Sequence, residues 1–178
     1  HAMGEPLDLD AARFNSGAHR HRNFWTNLGD TALLTEARNS WHRDPTRTVD
    51  GLLEPGRFSA PATHREPAQF YPSHAAATSG QPMARRTMPT LVSYSQSRGF
   101  VLGAAGRLHD GRGHDAGEPN PNERERMLGY TTGDTAAAGV TQLQRHEITG
   151  RCMDANAMRG LWHCIEMAQA VQTGVKPA

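Results

Sequence analysis

Apolar residues are unevenly distributed along this chain, and this limits where a core can form. Residues 29–82 are poor in apolar side chains and rich in Pro, Gly, His and Ser, whereas both flanking parts carry dense apolar patterning. Folding depends on removing apolar surface from water. The apolar pieces within 29–82 are short and lack helical periodicity. We therefore predict a loop-rich insertion between two folded ends.

Composition narrows the class of protein further. The 178 residues suit one domain, and a hydrophobic fraction of 37% predicts a modest core, since globular domains usually reach about 45–50%. A net charge of +1 argues against a protein that coats nucleic acid through bulk electrostatics. Two cysteines make no disulfide framework. No apolar run reaches the length of a membrane span, so we expect no membrane partner.

Short strands are predicted in two places. Leu7–Asp10 is interpreted as a turn, and the alternating residues 18–28 that follow it as a strand. Residues 87–94 and 99–102 have the composition of two further strands joined by a polar turn.

Three helices are predicted in the C-terminal third. The first spans residues 123–128 after Asn122 as N-cap, and the second begins after Thr141 as N-cap and is closed by Gly150. The third covers residues 156–171. We expect its apolar stripe to face the core, and that stripe consists of Met158, Leu161, Trp162, Ile165, Met167 and Ala168.

Together these elements predict an α+β fold with short, mostly antiparallel strands, a loop-rich middle and a helical C-terminal third. Residues 1–3 are interpreted as the remnant of a cloning sequence, which predicts a piece of a longer protein. Residues 4–28 form a strand segment, 29–82 the insertion, and 83–178 the later strands and the helices.

Four sequence blocks carry a resemblance to one enzyme family. They are Ala-His-Arg-His-Arg-Asn-Phe-Trp at 18–25, Arg-Thr at 86–87, Glu-Arg-Glu-Arg-Met-Leu-Gly-Tyr at 123–130 and Gly-Arg-Cys at 150–152. In this order they resemble the target-recognition and last conserved blocks of the de novo-type cytosine-C5 DNA methyltransferases, over about half of the chain. The terminal block is also similar to methyltransferase-like tails of retroelement polyproteins from green plants and algae.

The resemblance implies DNA contacts for five residues. Arg20 and Arg22 fall where the family holds the extruded cytosine and its phosphates, a task that suits planar guanidinium groups. Arg86, Ser95 and Arg98 fall in the part that contacts DNA, where Arg98 suits a guanine edge or a phosphate.

The resemblance also implies a cofactor wall but no reactive group. Gly150 and Arg151 fall where the family closes one side of the S-adenosylmethionine pocket. Neither Cys152 nor Cys164 follows a proline, as the family's nucleophile does, so no covalent adduct is expected and no catalytic residue is predicted. S-adenosylmethionine is expected as cofactor only if an upstream catalytic part completes the pocket.

The favoured hypothesis is a nuclear DNA-recognition module that is inactive alone. Its expected partners are DNA and either a catalytic partner chain or a second copy in a homo-oligomer, for which the family uses the region around residues 141–145. One alternative is a structural or protein-interaction module of a retroelement polyprotein. Another is one half of a split or truncated DNA methyltransferase.

Simpler interpretations accompany the individual blocks. Arg20 and Arg22 also fit a solvated strand face, residues 123–126 a surface helix with salt bridges, and Arg86 the protection of a strand edge. The His-Asp pairs within 109–115 offer metal-ligand residue types in a glycine-rich loop, which is more typical of solvated sequence. The C-terminal set of His146, Cys152, His163 and Cys164 matches no common zinc spacing, so no metal site is predicted.

Overall fold

The fold is of the α+β class, as predicted, with a small antiparallel sheet and several helices. The computed structural model describes residues 5–59, 86–88, 90–91, 93, 101–102 and 116–175. Among these residues, no helix combines the length and the apolar character that crossing a membrane requires.

A two-stranded antiparallel sheet lies near the start of the chain. It pairs β1 (Leu7–Asp10) with β2 (His21–Phe24), and Asp10 lies opposite His21. The two leucines of β1 are buried and its two aspartates are not, which is the alternation of a half-buried strand. The turn predicted at β1 is therefore wrong, and the strand predicted over 18–28 is restricted to the four residues of β2.

The chain reverses direction between these strands over a short irregular segment. A turn of 3₁₀ helix, Ala11–Phe14, ends at Asn15, whose positive φ of 65° belongs to the left-handed region that asparagine tolerates. Ala18 then forms a single parallel bridge with Met88. Of the described residues within the strand predicted over 87–94, only Met88 forms a strand-type pair, and residues 90, 91 and 93 do not.

Helix α1 (Thr31–Ser40) occupies the start of the predicted insertion. Its N-cap is Asp30, whose carboxylate accepts hydrogen bonds from two amides of the first turn. Leu34 and Ala37 are its buried residues and belong to the core beside the first sheet. The prediction of a loop over 29–82 is therefore wrong at this helix. The apolar pattern of the helix is too weak to indicate it in the sequence.

Three very short strands form a second sheet. The order is β3 (Phe58–Ser59), β4 (Val101–Leu102) and β5 (Ala116–Gly117), with both pairs antiparallel. Strand β4 confirms the end of the second strand predicted in this region. Ser95 and Arg98, which were predicted to contact DNA, lie outside the described residues.

Helix α2 (Pro121–Met127) begins earlier than predicted. Its N-cap is Asn120 rather than Asn122, and Asn120 forms a capping box with Glu123. Proline at the first helical position supports this start, because the amide that proline lacks would have no partner within the helix.

The last two helices lie close to their predicted positions. Helix α3 (Gln142–Arg151) follows Thr141, which is confirmed as its N-cap, but Gly150 lies inside the helix rather than closing it. Helix α4 (Ala155–Thr173) is the longest described element and is capped by Asp154.

The buried side chains form two apolar clusters. The first joins β1, the 3₁₀ turn, α1 and α4, and includes Leu7, Leu9, Phe14, Leu34, Leu161, Cys164 and Ile165. The second lies between the Ala18 bridge, the segment near residue 50 and α2, and consists of Ala18, Val49, Leu53, Met88, Leu91, Met127 and Leu128. The N-terminal strand and the C-terminal helix therefore share the first cluster, while α2 belongs to the second.

The buried face of α4 differs from the predicted stripe. Leu161 is buried as expected, but Trp162 is 57% exposed and Met158 is 39% exposed, so the prediction of both as core residues is wrong. The core approaches α4 on the side of Gly160 instead. A Cβ atom there would lie 2.2 Å from the ring of Phe14, which means that the ring packs directly on the helix backbone.

Candidate functional site

The block around Arg20, which the resemblance assigns to DNA, and the block around Gly150, which it assigns to the cofactor wall, are in contact. Arg20 comes directly before β2, and its Nη2 donates a hydrogen bond over 2.9 Å to the carbonyl oxygen of Gly150, 130 positions away. Arg20 is 2% exposed, so it is not part of a solvated strand face. Its guanidinium group points into the protein, toward the junction between α3 and α4.

The guanidinium group of Arg20 has unused hydrogen-bonding capacity. Its Nε and Nη1 are buried and make no hydrogen bond to the described residues. Burial lowers the pKa of Arg20 and the charge of Arg22 lowers it further, whereas Cys152 and Asp154 act in the opposite direction. Because arginine keeps its proton in proteins, both nitrogen atoms remain donors. Leaving buried donors unpaired is costly. Because both atoms are shielded from solvent, an external acceptor reaches them only if the junction between α3 and α4 opens.

The junction between α3 and α4 surrounds this group with polar atoms. The hydroxyl of Tyr130 donates to the carbonyl oxygen of Met153 over 2.6 Å. Asp154 is fully buried and accepts a hydrogen bond from the hydroxyl of Ser16 over 2.6 Å. Burial raises the pKa of the Cys152 thiol, which keeps it protonated at neutral pH and makes it a weak nucleophile. The junction is suited to binding rather than to covalent chemistry.

The other predicted site residues occupy different environments. Arg22 in β2 and Arg151 at the end of α3 are both exposed, and both belong to the blocks that the Arg20 hydrogen bond joins. Arg86 is half-buried, and its carbonyl oxygen accepts a hydrogen bond from Nη2 of Arg43 over 2.7 Å. The blocks around Arg20 and Gly150 therefore form one region, while Arg86 lies on the segment that leads to the Met88 bridge.

Helix α2 supports this region with charged side chains that are buried. Glu123 and Glu125 are 0% exposed and Arg124 is 1% exposed. A surface helix with salt bridges, the simpler interpretation of these residues, is therefore wrong. The burial of these three residues could not be predicted from the sequence, because their partners come from distant parts of the chain.

Each buried charge of α2 has fixed partners. The carboxylate of Glu125 accepts from the amide of Gly133 over 2.6 Å and from Nη2 of Arg145 over 2.9 Å, and the Thr135 hydroxyl also donates to it. Burial alone would raise the pKa of Glu125, but these hydrogen bonds outweigh it and hold the pKa below its usual value. Glu123 is paired in the same way with Arg57, over 2.7 Å.

Buried Arg124 connects α2 with α3. Its Nη1 donates to the carbonyl oxygen of His146 over 2.7 Å, and it lies 3.3 Å from the Thr149 hydroxyl, one position before Gly150. Burial lowers the pKa of Arg124 to about 10, which still leaves it charged at neutral pH. Through this contact α2 fixes the end of α3, and with it the carbonyl group to which Arg20 binds.

A second polar cluster, which the sequence did not predict, lies on the first sheet. Nδ1 of His19 is 2.5 Å from Oδ2 of Asp10, and Nε2 of His21 is 3.2 Å from the same oxygen. The other nitrogen of His19 is 3.0 Å from the hydroxyl of Thr87. The usable signal was the alternation of Leu-Asp-Leu-Asp with His-Arg-His-Arg, which predicts two strands with opposite charges on facing positions.

A cavity of about 420 Å³ adjoins this cluster. Its charged lining combines the carboxylates of Asp8 and Asp10 with Arg13, Arg38 and Arg43, and His19 also contributes. Burial would raise the pKa of Asp10, but hydrogen bonds from His19 and from the backbone amide of Arg20 hold it below its usual value. The carboxylate is therefore ionised at neutral pH.

Neither protein-family models nor curated proteins give a match for this chain. Its function is therefore inferred from the contacts of its own residues.

Proposed function

We propose that this chain is a DNA-recognition module resembling the C-terminal part of a cytosine-C5 DNA methyltransferase, and that it is inactive alone. The observation that carries the proposal is the hydrogen bond from Arg20 to the carbonyl oxygen of Gly150. It joins the two blocks that, in the resemblance, flank the substrate base and the rim of the cofactor pocket.

Arg20 is buried, so its role in the proposal is to hold the two blocks together through the bond from Nη2 to Gly150. Its Nε and Nη1 are shielded from solvent and reach an extruded cytosine only if the junction between α3 and α4 opens. Arg22 is exposed two residues away, where its charge would bind a neighbouring phosphate.

The proposal also includes a catalytic part, which a partner chain or an upstream segment would contribute. The thiol of Cys152 is protonated and therefore poorly suited to attack a base. Gly150 and Arg151 would contribute one wall of an S-adenosylmethionine pocket, and Arg151 is exposed, as such a contact requires. The remaining wall and the nucleophile would come from a partner or upstream segment in the nucleus.

The test is binding of a fluorescent CpG duplex, measured by anisotropy at low salt, where phosphate contacts are strongest. Arg22→Ala is expected to weaken binding about ten-fold, equivalent to about 1.4 kcal/mol, and Arg22→Lys by less, because it keeps the charge. Arg13→Ala is the matched control, since Arg13 is also exposed but lies outside the proposed contact. Absence of binding by the unchanged protein, or equal loss in the control, would overturn the proposal.

A second candidate function, protein interaction through a second copy, is favoured by the outer face of α4. Trp162 is 57% exposed there, and Arg159 and Glu166 lie at nearly equal distances along the helix on either side of it. Antiparallel pairing of two copies would bring Arg159 of each opposite Glu166 of the other, as a two-fold contact requires. Sedimentation of the protein against Trp162→Glu tests this, and a monomer at all concentrations would exclude it.

A further inference from the structure

Three metal-binding side chains converge on the first sheet. Nδ1 of His19, Nε2 of His21 and a carboxylate oxygen of Asp10 all lie within 4.8 Å of one another. Neighbouring ligand atoms on a tetrahedral zinc ion with bonds of about 2.0–2.1 Å are separated by about 3.3–3.4 Å. The 3.2 Å between Asp10 and His21 matches that spacing, and the 2.5 Å between Asp10 and His19 requires a movement of less than about 1 Å.

The outer atoms of His19 and Asp10 have hydrogen-bond partners. Nε2 of His19 lies 3.0 Å from the Thr87 hydroxyl, whereas Nδ1 of His21 lies 3.9 Å from a carboxylate oxygen of Asp8, which is beyond hydrogen-bond distance. The second oxygen of Asp10 accepts hydrogen bonds from two backbone amides. Metal-ligating histidines characteristically bind a polar group through their other nitrogen, because this fixes the ring and increases its basicity.

The backbone holds the ligands in place without a metal. Asp10 and His21 are opposite one another in the register of β1 and β2. His19 precedes β2 and follows the Ala18 bridge, and its ring is nearly parallel to that of His21, with centroids 6.4 Å apart. Ligand side chains on paired strands, as Asp10 and His21 are, are positioned more accurately than ligands on loops.

We propose that Asp10, His19 and His21 form a binding site for one divalent transition-metal ion of the zinc class. Two imidazoles and one carboxylate suit zinc and its neighbours in the first transition series better than magnesium or calcium, which prefer oxygen ligands alone. Three protein ligands leave one position for water or a small anion. The arginine-lined cavity beside Asp10 and His19 provides space and positive charge for such an anion.

The competing explanation is a purely structural hydrogen-bond chain from Asp10 through His19 to Thr87. That chain needs no metal, but it also gives no role to His21, whose side chain is 65% exposed and still directed at the same carboxylate oxygen. His21 therefore distinguishes the two explanations. Because it is so exposed, replacing it should leave the fold intact.

The experiment is titration of the metal-free protein with zinc chloride by calorimetry, comparing His21→Ala with His42→Ala. His42 is exposed and lies outside the three-ligand set, so its replacement controls for the loss of one surface histidine. We expect one zinc ion per chain, an affinity reduced about ten-fold or more in His21→Ala, and less than a two-fold change in His42→Ala. Equal zinc affinity in His21→Ala and the unchanged protein, or no binding by either, would overturn the proposal.

A second measurement separates this site from the two cysteines. The same proteins titrated with cobalt(II) should give the visible spectrum of nitrogen and oxygen ligation without thiolate charge-transfer bands. Asp10→Asn keeps a hydrogen-bond acceptor for the backbone amides but removes the ligand charge, and it should weaken cobalt binding as His21→Ala does. Thiolate bands, or cobalt binding unchanged in Asp10→Asn, would assign the metal to another location and reject this one.

Discussion

Helices α2 and α4 depart from the usual distribution of polar and apolar side chains in opposite ways. Helix α2 encloses Glu123, Arg124 and Glu125, each at most 1% exposed, whereas α4 presents Trp162 and Met158 to solvent. The charges of α2 are tolerated because fixed donors and acceptors surround them. The difference shows that charged side chains are buried in this protein where hydrogen-bond and ion-pair partners surround them. The apolar outer face of α4, in contrast, is open to contact with another molecule.

The largest expected effect comes from breaking the buried network of α2. Glu125→Ala removes the acceptor of the Gly133 amide and the carboxylate that neutralises Arg145, whose guanidinium group then keeps only the neutral acceptors Asn122 and Thr135. Removing one partner of a buried ion pair typically costs about 3–5 kcal/mol in the free energy of unfolding. Urea denaturation would measure it, with Glu36→Ala in α1 as the exposed control at less than about 0.5 kcal/mol. A loss below about 1 kcal/mol for Glu125→Ala would show that the network relaxes freely.

An intermediate effect is expected for neighbouring residues of α4. Leu161→Ala should lower the free energy of unfolding by about 2–4 kcal/mol, because it leaves a cavity in the first apolar cluster. Trp162→Ala, one position later, should change it by less than about 0.5 kcal/mol at low protein concentration, since the indole is mostly solvated. Thermal unfolding of both variants measures the contrast. Equal losses would mean that the indole contributes to the core after all.

The smallest expected effect is a difference in pH dependence between two buried carboxyl groups. The pKa of Glu125 is held below its usual value by its hydrogen bonds, so its stabilising contribution is present above its unfolded pKa and is lost as the pH falls through the folded pKa. Burial raises the pKa of Asp154. Its contribution is therefore greatest below its unfolded pKa and decreases as the pH rises through the folded pKa.

Single substitutions separate these two contributions. Between about pH 6 and about pH 3, the stability advantage of the unchanged protein over Glu125→Gln should shrink on acidification, while its advantage over Asp154→Asn should grow. Asn is also a good N-cap, so Asp154→Asn keeps the start of α4. Urea midpoints at several pH values provide the measurement, and shifts of the same sign in both variants would contradict the assignment.

Sequence patterns predicted the elements whose signals are local. Thr141 as N-cap of α3 and the position of α4 follow from capping and apolar periodicity within one segment. The start of α2 is also encoded locally, by proline after Asn120 and by glutamate at the third helical position. These signals identify Asn120 as the N-cap, rather than the predicted Asn122. Helix α1 was missed because only Leu34 and Ala37 are buried along it.

Contacts between residues far apart in the chain could not be predicted from the sequence. Glu123 pairs with Arg57, and Glu125 pairs with Arg145, only after the intervening segments have folded. The cluster of Asp10 with its two histidines depends on the register of β1 and β2, which residue composition does not specify. The resemblance assigns the block around Arg20 to DNA and the block around Gly150 to the cofactor wall. The structure brings these blocks into contact, and both roles stay predictions.

The hydrogen bond between Ser16 and Asp154 has a consequence for how this protein is made. It spans 138 positions, and the first apolar cluster likewise joins β1 to α4. During synthesis, Leu7 and Leu9 of β1 therefore leave the ribosome long before the residues of α4 in the same cluster have been made. Contacts this remote in sequence slow folding, because a long loop must close before they contribute.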